Sequence, residues 1–202
     1  LALKSDKALD FSKPITIASS SLRRQAQWLN KYPHHTFEPI RGNINSRLQK
    51  LIDTPHWSAT IMAAAGTERI GLEVPHTQVL DWMLPAPSQG ALGVFCREDD
   101  EHMKDVCATF NDADTHACTY AERMFLRTLM GGCTMPIAAF AHINGDQIHF
   151  KGNLLTIDGK LKAEVELTVA KTEAASLGQL AAEKVLELGG REILQQLKQS
   201  QA

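Results

Sequence analysis

Two periods of apolar spacing divide this chain. Through residues 14–71, short β-branched runs alternate with segments whose apolar side chains recur every three or four positions. Residues 14–18 (Pro-Ile-Thr-Ile-Ala) predict a buried strand. Residues 22–31 predict a helix with Leu22, Ala26 and Leu29 along one side, capped by the serines before it. A second strand is expected over 36–40 and a helix over 44–51, with Ile44, Leu48 and Leu51 on one face. A third strand is expected over 59–63 and a short helix over 67–71. Such alternation predicts a mainly parallel sheet, whose ligands bind where strands end and helices begin. Residues 77–83 and 91–97 read as two further strands, and 101–110 and 113–130 as helices. Past Pro136 the pattern changes to hairpins: strands over 137–143, 147–155 and 160–169, divided by Asn144-Gly145 and Asp158-Gly159. Helices over 173–188 and 192–197 close the chain. The predicted fold is an α/β lobe with a mainly parallel sheet over 11–88. An α+β domain with a three-stranded antiparallel sheet follows over 113–202.

Composition adds only exclusions. The chain has 202 residues, 44% hydrophobic and 22% charged with a net charge of −2, which suits a soluble globular protein. No apolar run approaches the roughly 20 residues of a membrane span, and the first residues lack a signal-peptide core. Four cysteines form no Cys-x-x-Cys pair, so the spacing of a zinc or dithiol site is missing and no metal is expected. Reduced thiols suit a cytoplasmic protein. Cys96, Cys107 and Cys118 read as structural, and His34, His35 and His56 as surface residues. Cys133 differs. In Gly131-Gly132-Cys133-Thr134-Met135-Pro136-Ile137 the glycines permit a tight turn and close approach to a ligand, while Pro136 stops the preceding helix.

Charge placement is more informative than its sum. Arg23, Arg24, Arg41, Arg47 and Arg69 all fall at or just after predicted strand ends. Guanidinium groups pair bidentately with carboxylates and phosphates, and helix N-termini at the same edge add N–H donors. Such an edge calls for a ligand with several negative charges. Neither glycine-rich nucleotide fingerprint occurs, and the basic residues lack interleaved aromatics, so nucleotides and nucleic acid are not expected.

Six segments resemble the porphobilinogen deaminase (hydroxymethylbilane synthase) family. They are Ser20-Ser21-Leu22-Arg23-Arg24-Gln25-Ala26-Gln27, Ile40-Arg41-Gly42-Asn43-Ile44-Asn45-Ser46-Arg47-Leu48, Ala63-Ala64-Ala65-Gly66, Leu84-Pro85-Ala86-Pro87-Ser88-Gln89-Gly90-Ala91, Ala121-Glu122-Arg123 and the Cys133 loop. They occur in family order and span nearly the whole chain. The resemblance implies a dipyrromethane cofactor held through a thioether at Cys133. It also implies a reaction in which porphobilinogen units, each losing ammonia, extend a linear pyrrole chain that hydrolysis releases as hydroxymethylbilane. Every pyrrole carries acetate and propionate groups, so the bound chain is a polyanion. By motif position Arg23, Arg24, Arg47 and Arg69 are expected to hold carboxylates, and Arg41 to handle the leaving amine or an adjacent carboxylate. Ser19 and Ser21 are expected to donate hydrogen bonds, Ala64 to Gly66 to line the cleft with backbone, and Gln89 to reach it from the crossover loop. Ser88 stands where the family usually has glycine.

The resemblance implies three domains in the complete enzyme. The 11–88 lobe corresponds to the second and 113–202 to the third, with 91–112 a segment returning to the first. Most of that first domain, with the aspartate that serves as general acid and base, has no counterpart in these residues. On this reading the chain alone is inactive, the complete enzyme is a monomer, and the unpaired 91–97 strand invites self-association. The alternative is a stand-alone module that binds a carboxylate-rich ligand without turnover.

Overall fold

The computed structural model describes residues 1–4, 9–74, 76–130 and 135–199. The Cys133 loop, Gly131 to Thr134, lies outside the described residues. The first sheet is assembled around β2 (Thr16–Ala18), which pairs in parallel with β3 (Thr36–Glu38) on one side and β4 (Trp57–Thr60) on the other. A two-residue strand, β1 (Ala2–Leu3), adds antiparallel to β4, giving the order β1-β4-β2-β3. The sheet is therefore mixed but mainly parallel.

Its packing follows from the pleat. Successive side chains of β2 point to opposite faces. Ile17 joins Trp28, Ala59 and Ile61, while Ala18 joins Ile40, Leu51 and Trp57. Helix α1 (Leu22–Lys31) supplies Trp28 to the first cluster, and α2 (Ile44–Asp53) supplies Leu51 to the second. The two helices thus cover opposite faces. Because β3 and β4 flank β2, the chain reverses direction across the sheet at β2, and a crevice opens at the carboxyl ends of β2 and β4.

Helix α3 (Ala64–Arg69) follows β4, then irregular chain, then α4 (Glu101–Ala108) and α5 (Ala113–Thr128). The second sheet is a meander of β5 (Ile137–Asn144), β6 (Gln147–Leu155) and β7 (Lys162–Ala170). Gly145 and Gly159 carry the positive φ that both hairpin turns need, +61° and +71°. Phe125 of α5 and Leu177 and Ala181 of α6 (Ala174–Val185) cover one face of this sheet, with Phe150 and Leu154 beneath them. The chain breaks at Leu188-Gly189, where Gly189 has φ 104°, before α7 (Arg191–Gln199).

Three sequence expectations fail. Residues 77–83 form no strand beyond an isolated bridge at Thr77. Instead Leu80, Trp82 and Met83 fold into turns that pack against the Trp28 cluster. Residues 91–97 also form no strand, and Leu92 and Phe95 are 82% and 92% exposed, since β propensity alone holds no strand without a partner. Finally His35 is buried. Its Nδ1 accepts from Trp28 Nε1 at 2.9 Å and its Nε2 meets the Phe11 carbonyl at 3.1 Å. No helix among the described residues is long and apolar enough to cross a membrane.

Candidate functional site

The crevice at the sheet's switch point is built by backbone geometry before any charged group enters it. Ser20 Oγ donates to the Ile40 carbonyl at 2.8 Å and accepts from the Ile40 N–H at 2.9 Å, tying the end of β2 to the chain leaving β3. Ser19 is buried, and its Oγ accepts from the Ser21 N–H at 3.3 Å. Ser21 in turn caps α1, its Oγ accepting from the Arg24 N–H. In this chain both serines accept from backbone N–H groups that shape the turn. Asn43 caps α2 in the same way through Ser46 N–H at 2.8 Å. Gly42, at φ 122°, lets the chain enter α2 where a Cβ would stand 2.2 Å from Ser46 Oγ.

These turns place the arginines. Arg24 lies across the mouth of the crevice, its Nη1 donating to the Ile61 carbonyl beyond β4 at 2.7 Å. Arg47 Nε donates to the Gly42 carbonyl at 2.8 Å. Burial, then the nearby charges of Arg23 and Arg47, lower the Arg24 guanidinium to about 10. Burial alone lowers that of Arg23, whose Nε is buried without a hydrogen-bond partner. Among the described residues no carboxylate pairs with any of the five arginines. A desolvated, mutually repelling cation cluster with an orphaned donor has electrostatics that favour an anion.

The cleft beside them has a volume of about 500 Å³, within the range of small-molecule sites. Arg23, Arg24, Ala64 and Gln89 line it together with the apolar side chains of Ile61, Met62, Leu84 and Pro85. Ser19, Ser21, Arg41, Arg47, Gly66 and Arg69 stand outside its lining. Ser19, Ser21 and Arg47 support it, as just described. Arg41 is exposed, its carbonyl accepting from Lys50 Nζ at 2.9 Å, and Arg69 is exposed at the end of α3. Gly66 sits inside α3, where a Cβ would meet Ile44 Cδ1 at 3.1 Å. Glu68 is the one carboxylate among the described lining residues.

Two supporting residues escape sequence inspection. Gln27 grips the 84–90 loop with both ends of its amide: Nε2 donates to the Leu84 carbonyl at 3.0 Å and Oε1 accepts from the Leu84 N–H at 2.8 Å. Glu122, buried on α5, accepts from the Ser88 N–H at 2.5 Å and from the Ala141 N–H of β5 at 2.7 Å. Burial raises its carboxyl above the usual range, against the pull of those two donors. Glu122 thus joins the loop carrying Gln89 to the second sheet. Asn30 makes a further join, donating to the Gly159 carbonyl at 2.7 Å. Gln27 and Glu122 lie in segments that carry the family resemblance, but their partners are 57, 34 and 19 residues away.

Taken together, these residues form an apolar-floored, arginine-lined cleft at a parallel-sheet switch point, the kind of site that suits an anionic ligand. Sequence comparison makes the class specific. Residues 2–105 match the family model described as porphobilinogen deaminase, dipyromethane cofactor binding domain, and residues 116–187 match that of the porphobilinogen deaminase C-terminal domain. The chain belongs to the porphobilinogen deaminase family. It is 42% identical over 194 residues to the porphobilinogen deaminase of Listeria innocua, covering 94% of this chain and 62% of the relative. That of Acidithiobacillus ferrooxidans is 39% identical over 184 residues, covering 90% and 59%, and that of Geobacter metallireducens 40% over 195 residues, covering 96% and 61%. The chain therefore spans about three-fifths of the length of these relatives.

Proposed function

We propose that this chain forms the cofactor- and chain-binding part of a hydroxymethylbilane synthase, which joins four porphobilinogen units with loss of ammonia and releases hydroxymethylbilane by hydrolysis. The observation that carries the reading is the uncompensated arginine group at the switch-point cleft, with Arg23 Nε buried and unpartnered. A dipyrromethane suits this donor set. Arg23 and Arg24, with Arg47 beside them, would hold its carboxylates, and Ile61, Met62, Leu84 and Pro85 would offer an apolar surface to its pyrrole rings. When bound through a thioether at Cys133, the group supplies the pyrrole end onto which substrate condenses.

On this reading Arg23 and Arg24 orient carboxylates, while Arg41, Arg69 and Gln89 act on parts of the chain beyond the cleft floor. Ser19 and Ser21 hold the turn that aims the arginines. The 11–88 lobe, resembling one lobe of a periplasmic binding protein, and the 113–202 domain are two of three domains, with 91–112 running back toward the first. The complete protein acts in the cytoplasm as a monomer, with porphobilinogen and the growing linear pyrrole chain as its partners. Proton transfer requires an acid and base that these 202 residues do not match by motif, so the chain by itself binds without turning over.

Porphobilinogen consumption and ligand affinity separate the outcomes. The expected result is no consumption by the 202-residue chain and carboxylate-dependent binding that Arg23→Ala weakens. Measurable turnover by this chain contradicts the assignment of proton transfer to other residues. Binding indifferent to Arg23 and Arg24 contradicts the site itself.

A further inference from the structure

The outer face of the second sheet, away from α5 and α6, carries a feature unrelated to the arginine cleft. His142 of β5 and His149 of β6 are directly paired across the strands, their ring centroids 5.0 Å apart and their planes 16° from parallel. Both are held from behind. Phe140 stacks on His142 at 5.7 Å, and Thr168 Oγ1 lies 2.9 Å from His149 Nδ1. Beside them Lys151 is neutralised by Glu166 at 2.9 Å.

We propose that His142 and His149 together bind a divalent transition-metal ion. Directly opposed residues of an antiparallel pair have Cβ atoms about 4.5–5.5 Å apart. One ion with metal–nitrogen bonds of about 2.0–2.1 Å needs its two imidazole nitrogens about 3 Å apart. With His149 kept on Thr168, rotation of His142 about its soft χ2 torsion turns its ring edge toward an ion on His149 Nε2 without moving the strands. In the tautomer protonated at Nδ1, His149 donates to Thr168 Oγ1 and leaves the Nε2 lone pair for the metal. A hydrogen bond from the non-ligating ring nitrogen fixes the tautomer and orientation of a metal-bound imidazole. Among the described residues no group of three or more His, Cys, Asp and Glu converges, so water fills the remaining positions and the ion exchanges readily. Nitrogen ligands select Ni²⁺, Cu²⁺ or Zn²⁺ over Mg²⁺ and Ca²⁺.

The test is titration of the chain with Ni²⁺, followed by calorimetry and by paramagnetic broadening of the histidine ring signals. The expected result is broadening confined to His142, His149 and their neighbours, no response to Mg²⁺, and a loss of at least about tenfold in affinity in His142→Ala and in His149→Ala. Thr168→Val weakens binding by about tenfold with both ligands still in place. If His149→Ala disturbs the sheet, His149→Gln removes the imidazole while keeping a side chain of similar length. Wild-type affinity in the double variant, broadening centred on any other histidine or a cysteine, or no broadening at all overturns the proposal.

Discussion

The fold holds the Arg24 charge where burial and neighbouring cations disfavour it, and Arg24→Met measures that conflict. The guanidinium is lowered from its ordinary value to about 10, burial contributing most and Arg23 and Arg47 the rest. At 1.36 kcal/mol per unit the full shift corresponds to about 3 kcal/mol of unfavourable charge in the folded chain. Partial exposure screens this, and we take half, about 1.5–2 kcal/mol. Methionine keeps the unbranched stem but leaves the Ile61 carbonyl without the 2.7 Å hydrogen bond, which costs about 1 kcal/mol. The balance is a gain of about 0.5–1 kcal/mol, a rise in Tm of about 1–4 °C for a chain of this size. Thermal unfolding should be followed at matched ionic strength in sodium chloride and in citrate. Salt should stabilise the wild type more than the variant, because it screens repulsion among three cations that methionine has already relieved. Citrate should raise the wild-type Tm further and raise that of the variant less. A loss of more than about 1 kcal/mol in Arg24→Met, or equal citrate responses, refutes the reasoning.

Three further outcomes follow from single contacts. Glu122→Gln replaces one acceptor with a donor facing a buried backbone N–H, and should cost about 2–3 kcal/mol in denaturant unfolding near neutral pH. The Glu122 carboxyl is raised by burial, so the folded state holds a proton that the unfolded state has lost. Stability should therefore fall as pH rises from the unfolded glutamate value of about 4.3 through the higher folded value. Glu122→Gln should remove that part of the slope, and an unchanged pH profile contradicts the assignment. Ser88 sits at φ 61°, which a side chain tolerates poorly, so Ser88→Gly should stabilise by about 0.5–1 kcal/mol; a destabilised variant would show that the serine hydroxyl matters more than the backbone. Gly159→Ala would set a Cβ 2.4 Å from Asn30 N and 2.6 Å from the Ala26 carbonyl, both α1 backbone, at φ 71°. It should cost about 2–5 kcal/mol, read as a fall in the urea midpoint, and a neutral result would mean that the second hairpin is not seated on α1.

Local rules carried most of the fold. The serines before residue 22 announce the start of α1, and the Asn144-Gly145 and Asp158-Gly159 pairs place both hairpin turns where they occur. What failed depends on partners remote in sequence. β1 is two residues long and exists only because β4 lies beside it. Residues 77–83 have strand-like composition, yet Trp82 is drawn into the ring cluster around Trp28 and the chain turns instead. Residues 91–97 have the same composition and no neighbouring strand, so their side chains stand in solvent.

The site divides the same way. Arg23 and Arg24 were legible because a strand end followed by a capped helix fixes where its first turn points, and both line the cleft. Arg41 and Arg69 share the pattern, but their side chains lie exposed outside that lining. Gln27 and Glu122 gave no composition signal, since a buried amide or carboxylate is recognised only by the backbone groups it satisfies. His35 was misread for that reason too: its partners, Trp28 and Phe11, come together only when α1 packs on the sheet.

The central claim is that the arginine cleft holds a dipyrromethane anchored at Cys133. Peptide-resolved mass spectrometry of the chain, taken from cells that make porphobilinogen, tests it most directly. The account predicts a dipyrromethane adduct on the peptide containing Cys133, with Cys96, Cys107 and Cys118 unmodified, and loss of that adduct in Cys133→Ala. An unmodified Cys133 thiol, or an adduct on another cysteine, would contradict it.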